Sequence, residues 1–264
     1  MSRAGGDEHI DPRIRQRRES VERSRAQKRL LWAAGAVGLA ALVALGVVLL
    51  HTPLFEAKVV TVTGSHPNTT EVAILQAAGL EHHPPLVSVD PAAAAARVER
   101  LPFIASAQVS RHWPDGVVVH VTERVPVATM ATATTGWATL DGAGRTLAVT
   151  PTRPAGVPAL VVHVPPATVV PPAPVGGTVA PAADPGLTVA RTLPPAFAAQ
   201  VETVTVATDG TVSLALNSNL VVLLGTTSDL AAKYEDVAAI LAHAPLRGAH
   251  TIDVTVPQSP TVAP

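Results

Sequence analysis

The longest uninterrupted apolar segment of the chain lies at residues 30–50. It reads LLWAAGAVGLAALVALGVVLL and contains no charged residue and no proline. A helix over these 21 residues would be about 31 Å long, which matches the roughly 30 Å hydrocarbon thickness of a bilayer. A soluble helix normally has a polar face, and this segment has none. We therefore predict one transmembrane helix at residues 30–50.

A cleaved signal peptide is the main alternative for this segment. The apolar region of a signal peptide is usually about 7 to 15 residues long and ends at a small-residue cleavage site. Here the apolar run continues to Leu50 and is followed by HTPLFEAKVV. The pattern therefore favours an anchor that stays in the protein.

A strand and a helix are predicted directly after the span. VVTVT at residues 59–63 is β-branched throughout and is followed by Gly64, which indicates a strand and a turn. Asn68 with Glu71 three residues later resembles a capping box. Gly79 can adopt the left-handed conformation that closes a helix. These signals predict a helix of about ten residues.

A second helix and a β-hairpin follow. Asp90 and Pro91 are suited to the N-cap and first position of a helix that includes AAAAARVERL, and Pro102 is expected to end it. Two alternating runs, residues 104–111 and 117–125, then flank the turn sequence WPDG. The predicted order of elements is strand, helix, helix, strand, strand.

This order, together with LPFIASAQVSRHWPDGVVVHVTERVPVA at residues 101–128, resembles the POTRA domain of the FtsQ/DivIB family of bacterial division proteins. The signature positions are Gly64, Pro102, Arg111, Trp113, Pro114, Glu123 and Arg124. The resemblance implies a POTRA domain (β-α-α-β-β) at residues 57–126, followed by the family's β domain at residues 127–257. The predicted fold class is α+β.

Within residues 127–257 the pattern predicts a mixed β domain. WATLDGAGRTLAV indicates two strands joined by a turn. Residues 201–206, 212–216 and 220–224 predict an antiparallel meander. Residues 250–256 alternate cleanly between apolar and polar positions and predict one more strand before Pro257.

Three further segments have weaker or different signals. Residues 151–186 contain ten prolines and are expected to be mostly an extended, mobile loop in which GVPALVVHV could form a strand. Residues 229–243 predict a packed helix with Leu230, Tyr234, Val237 and Leu241 in its apolar stripe and with Lys233 outside that stripe. Residues 258–264 are expected to be a frayed tail.

Charge gives the span a direction. Residues 1–29 contain nine Lys or Arg and five Asp or Glu, which gives a net charge of +4. In the twenty residues after Leu50, the one Lys or Arg is Lys58. The positive-inside rule therefore predicts a single-pass type II protein of the cell membrane, with a disordered basic cytoplasmic tail at residues 1–29 and an extracytoplasmic C-terminal region. Residues 30–264 have a net charge of −5, which argues against nucleic acid as a partner.

The sequence contains none of the usual arrangements for catalysis. There is no G-x-S-x-G, S-x-x-K, H-E-x-x-H or G-x-x-x-x-G-K motif, and there is no cysteine. His82 and His83 are followed by two prolines and are interpreted as surface histidines rather than as metal ligands. We therefore predict no enzyme activity, no catalytic residue, no metal, no cofactor and no small-molecule substrate.

Binding to other proteins is the predicted function. The strand at residues 250–256 is a candidate sheet edge, and an exposed edge can accept a partner strand. The resemblance implies that the β domain binds the FtsB/FtsL pair near this strand, at Thr251, Ile252, Asp253, Val254 and Thr255. It also implies that the POTRA domain helps direct the protein to the division septum.

Three alternatives remain open at this point. The strand at residues 250–256 could be internal to its sheet. The protein could be a POTRA-type chaperone or translocation component of the envelope, although no succession of amphipathic strands indicates a membrane barrel. It could also be an envelope hydrolase that uses Asp or Glu pairs.

Overall fold

The computed structural model describes residues 32–48, 56–243, 250–257 and 259–263. The predicted tail at residues 1–29 lies outside the described residues, as do four positions of the predicted span, residues 30, 31, 49 and 50. Residues 32–48 form a helix, α1. In the part of the chain that the structure describes, no helix has both the length and the apolar character needed to cross a membrane.

The chain divides into two compact units. Among the described residues, the first comprises those up to Val59, together with His83–Val89 and His112–Val117, and the second comprises Val60–His82, Asp90–Arg111 and those from Val118 onward. Within the first unit, the Ala57 amide donates to the Pro84 carbonyl oxygen (3.0 Å) and the Val59 amide donates to the Asp115 carbonyl oxygen (3.1 Å).

The predicted order of elements in residues 57–126, called the first domain below, is confirmed. The elements are β1 (Val59–Thr63), α2 (Glu71–Ala78), α3 (Pro91–Val98), β2 (Ile104–His112) and β3 (Gly116–Glu123). The three strands form a sheet in the order β1-β3-β2. Val119 and Val121 of β3 are buried, as alternation along the strand predicts.

The two helices of this region begin and end with specific caps. Thr70 rather than Asn68 is the N-cap of α2, and its side-chain oxygen accepts from the Ala73 amide at 3.3 Å. Gly79 closes the same helix with φ +74°, as predicted. Asp90 caps α3 by accepting from two amides of the first turn at 2.9 and 3.2 Å.

The second domain, which follows the three-stranded sheet and begins with β4, contains ten strands and three α-helices in its described residues. They are β4 (Pro126–Ala131), β5 (Trp137–Asp141), β6 (Thr146–Thr150), β7 (Ala159–Val164), β8 (Thr168–Val169), α4 (Asp184–Thr192), α5 (Pro195–Ala198), β9 (Val201–Val206), β10 (Val212–Leu216), β11 (Val221–Gly225), α6 (Leu230–His243), β12 (Thr251–Asp253) and β13 (Thr261–Ala263). The strands form one sheet in the order β13-β12-β11-β10-β9-β7-β4-β5-β6, and β8 pairs with β7.

Two crossovers bring helices onto this sheet. β7 pairs parallel with β9, and β11 pairs parallel with β12. A parallel pair needs a crossover connection, which α4 and α5 supply between β7 and β9 and α6 supplies between β11 and β12. Leu187, Phe197 and Tyr234 of these helices share one core with the buried side chains of the sheet. The Phe197 and Tyr234 ring centroids lie 6.1 Å apart.

GVPALVVHV, the possible strand within the proline-rich residues 151–186, contains β7 (Ala159–Val164), so this part of the prediction is confirmed. β7 pairs parallel with both β4 and β9 and therefore lies in the interior of the sheet. Its six residues, ALVVHV, include no proline, so the local chain keeps every amide that the ladder requires. The prolines flank this strand instead of interrupting it.

Candidate protein-binding site

The strand predicted to bind a partner is β12, and it is shorter than expected. Only Thr251–Asp253 are in the strand conformation. Ile252 and Val254 are fully buried, Thr251 and Asp253 are half-buried, and Thr255 is exposed. The predicted alternation between an inward and an outward face therefore holds over these five positions.

The predicted position of β12 at the sheet edge is wrong. β12 pairs parallel with β11 through Val222 and Ile252, and antiparallel with β13 through Ile252 and Val262. β13 is the outermost strand of the described sheet. The segment between the two strands reverses the chain, and the Ser259 amide donates to the Val256 carbonyl oxygen (3.3 Å). The tail expected to fray thus returns as a strand.

The buried end of α6 supports β11 at this side of the sheet. Lys233 is fully buried, and its Nζ donates to the carbonyl oxygens of Leu224 and Thr226, both at 2.8 Å. The prediction that Lys233 lies outside the buried stripe is wrong. It occupies a buried face with Leu230, Tyr234 and Val237, where its charged end donates to two carbonyl oxygens at the end of β11 and just beyond it.

An open groove lies between α6 and the end of α4. Its volume is about 460 Å³, and Thr192, Pro194, Leu230 and Tyr234 line it together with Ala231, Glu235 and Ala238. The Tyr234 hydroxyl lies 3.0 Å from the Thr192 hydroxyl. Burial raises the pKa of Tyr234 above its ordinary value of 10.0, and the hydrogen bond with Thr192 opposes that rise.

Three signature residues of the first domain have structural partners. Gly64 has φ +100°, and a Cβ atom there would collide with the Val121 carbonyl oxygen, so no other residue fits without movement of β3. The Glu123 carboxylate accepts from the backbone and side-chain amides of Asn68 at 3.0 to 3.2 Å. Arg124 donates to the Asp141 carboxylate at 2.8 Å.

The remaining signature residues lie at the surface or in a connection. Arg111 is exposed near the end of β2, and Trp113 and Pro114 are exposed in the turn that leads to β3. Trp113 has 52% of its surface exposed. Pro102 lies between α3 and β2, four residues beyond the last residue of the helix. α3 therefore ends before the proline expected to stop it.

The described residues offer little to hold a metal ion. No group of three or more His, Asp and Glu side chains gathers in the ranges given above. His82 contacts Glu81 at 3.2 Å, and the Nδ1 atom of His83 lies 2.7 Å from the Ala57 carbonyl oxygen.

Two family profiles match consecutive parts of the chain. The POTRA domain, FtsQ-type, matches residues 55–124. The C-terminal domain of cell division protein FtsQ/DivIB matches residues 128–255. The junction between the two matches falls after Arg124, whose side chain contacts Asp141 of the second domain.

Cell division proteins FtsQ from several organisms are similar over most of this chain. Cell division protein FtsQ of Mycobacteroides abscessus is 32% identical over 293 aligned residues, covering 98% of this chain and 89% of that protein. The Mycolicibacterium smegmatis protein is 33% identical and covers 92% of this chain and 68% of its own length. The Streptomyces griseus protein is 34% identical over 68% of this chain and 83% of its own. The chain therefore belongs to the FtsQ/DivIB family of cell division proteins.

Proposed function

We propose that this protein is a non-enzymatic scaffold of the septal division complex. It links early assembly on the cytoplasmic side to peptidoglycan synthesis outside the membrane by binding other division proteins. The observation that carries the proposal is the match of both domains, in order, to the family's POTRA and C-terminal domains. The sequence adds no catalytic motif to these two domains.

Membrane anchoring through α1 is part of this proposal. The apolar side chains of α1 are exposed, with Trp32 at 81%, Leu39 at 64% and Leu42 at 68% of their surface accessible. An exposed apolar surface of this kind marks contact with lipid or with another protein. Together with the nine basic residues before it, this supports a single-pass type II topology with the N-terminus in the cytoplasm and the two domains outside.

The proposed partners are FtsB/FtsL-like division proteins and other septal components. The surface proposed to bind them is formed by Thr251–Thr255 and the strand beside it. Support comes from the main-chain pairing that this end of the sheet already makes and from the alternation that leaves Thr251, Asp253 and Thr255 accessible in part or in full. The first domain is proposed to help direct the protein to the septum.

Two measurements test the scaffold proposal. A fluorescent fusion should collect at septa, and depletion should give elongated or branched undivided cells. In a pull-down, the full chain in detergent should capture the exported segments of FtsB/FtsL-like proteins of the same organism. Uniform membrane fluorescence together with no capture would contradict the proposal.

Charged substitutions at the surface locate the binding site. We expect Thr251→Glu combined with Thr255→Glu to reduce capture at least about tenfold, a loss of about 1.4 kcal/mol in binding free energy. Val149→Glu on β6, at the opposite edge of the same sheet and 48% exposed, is the matched control and should capture normally. Equal losses in both variants would indicate a general disturbance of the sheet instead of a binding site.

A further inference from the structure

The strand that covers β12 is the chain's own C-terminal segment. Thr261, Val262 and Ala263 pair antiparallel with Asp253, Ile252 and Thr251, respectively. The Ala263 carbonyl oxygen also accepts from the His250 amide at 3.0 Å. All three residues of β13 are exposed.

The two sides of β12 are held very differently. On the β11 side, the Val221 amide donates to the His250 carbonyl oxygen (2.9 Å) and the Val254 amide donates to the Leu223 carbonyl oxygen (3.0 Å). Ile252 and Val254 belong to the buried core of the domain. In contrast, no residue of β13 is part of that core. Main-chain pairing therefore supplies most of what holds β13, and burial contributes little.

We propose that β13 is a displaceable cover of the binding strand. An extended segment of a protein partner removes residues 261–263 and pairs antiparallel with β12 in their place. This inference rests on the proposed function, because it assumes that β12 is where a partner binds. β13 also defines the occupant: a β-branched apolar residue belongs opposite Ile252, where Val262 lies.

Displacement is favoured over addition to the outer edge of β13. β13 is as short as β12, but it directly follows Pro260 and none of its three residues belongs to the buried core, so it is a weakly held template for an added strand. β12 is fixed by the core and offers the better template once β13 leaves. The cover therefore protects this edge from unspecific strand pairing until the partner arrives.

A disulfide lock tests whether β13 must leave. The chain has no cysteine, so Thr251→Cys with Ala263→Cys, at paired positions, gives a single oxidisable pair in the full chain. The probe is the set of exported FtsB/FtsL-like segments used above, with the protein in detergent. We expect capture by the oxidised variant to be at least tenfold lower than capture by the same variant after reduction. A chain that ends at Pro257 should capture at least as well as the unmodified protein.

The matched control is a lock at the other end of the sheet. Thr139→Cys with Ala148→Cys joins paired positions of β5 and β6, and its oxidation should leave capture unchanged.

The remaining outcomes separate the inference from the proposed function. Equal capture by the oxidised and reduced Thr251/Ala263 variant would overturn displacement while leaving the scaffold role intact. Loss of capture on truncation at Pro257 would overturn it in favour of addition to β13. Disulfide-linked dimers on a non-reducing gel would overturn it in favour of exchange of β13 between two copies. Capture by none of the forms would overturn the proposed function and this inference with it.

Discussion

Arg124 joins the end of the first domain to the turn between β5 and β6 of the second. Its Nε donates to the Ile104 carbonyl oxygen at 3.1 Å, and its Nη1 donates to the Asp141 carboxylate at 2.8 Å. The other carboxylate oxygen of Asp141 accepts from the Ala143 and Arg145 amides. These contacts give Arg124 a structural role. Asp141 lies 17 residues further along the chain, so no local pattern in the sequence pairs it with Arg124.

Removing this guanidinium should destabilise the protein. The Arg124 and Asp141 side chains are 23% and 6% exposed, so Arg124→Ala leaves a buried carboxylate without its cation. We expect a loss of about 2 kcal/mol in the free energy of unfolding, less than the roughly 3 to 5 kcal/mol of a fully buried pair. Urea unfolding measures it. Arg100→Ala, at an exposed position, is the control and should change stability by less than about 0.5 kcal/mol.

Tyr234 should titrate above the ordinary range of tyrosine. Burial raises its pKa in the folded state, so the stabilisation linked to its neutral form is complete below pH 10 and is lost as the pH rises through the raised pKa. Tyr234 is the only tyrosine of the chain, so absorbance of the phenolate at 295 nm reports it alone. We expect a higher midpoint in the folded protein than in urea, and no transition in Tyr234→Phe. Coincident folded and unfolded midpoints would contradict this.

At the scale of elements, α6 shows how a polar residue can belong to the buried face of a helix. Leu230, Lys233, Tyr234 and Val237 lie at helical spacing and are all buried. Hydrophobicity alone places Lys233 outside this stripe, although its position in the sequence places it within. The carbonyl oxygens of Leu224 and Thr226 decide the outcome, because they lie where the lysine end can reach them.

Lys233→Met tests this arrangement. The substitution keeps an apolar stem but removes the two hydrogen bonds that the ammonium group donates to the carbonyl oxygens of Leu224 and Thr226. Hydrogen bonds to charged groups contribute about 1.5 to 3 kcal/mol each, and the relief of a buried charge offsets part of that. We expect a net loss of about 1 to 3 kcal/mol by urea unfolding. Lys58→Met, at an exposed position, should be close to neutral, and a variant at Lys233 as stable as the parent would contradict the assigned role.

Element identity was predictable where a local signal was strong. The caps at Asp90 and Gly79 and the alternation in β1, β3 and β9 to β11 correspond to observed elements. β4 and the central position of β7 were not foreseen. A short apolar strand flanked by prolines has the same local pattern whether it lies in a loop or inside a sheet, and only its pairing with β4 and β9 distinguishes the two.

At the scale of the whole molecule, the proposed topology predicts which parts a protease can reach. The basic residues before α1 should lie on the cytoplasmic side of the membrane, and both domains should lie on the extracytoplasmic side. Protease added to intact spheroplasts should digest an epitope tag at the C-terminus and spare one at the N-terminus. Permeabilised spheroplasts, in which both tags should be cleaved, are the control. Protection of the C-terminal tag with loss of the N-terminal one would reverse the orientation.

The sequence by itself determined the apolar segment, the order of elements in the first domain and the family, because each of these is encoded in residues close together along the chain. The tertiary structure alone decided the strand order of the large sheet, the burial of Lys233, the pairing of Arg124 with Asp141 and the cover that β13 places on β12. These features depend on contacts between residues far apart in the chain, and such contacts leave no periodic pattern in the sequence. The candidate binding strand was therefore recognisable from sequence, whereas its occupied edge was not.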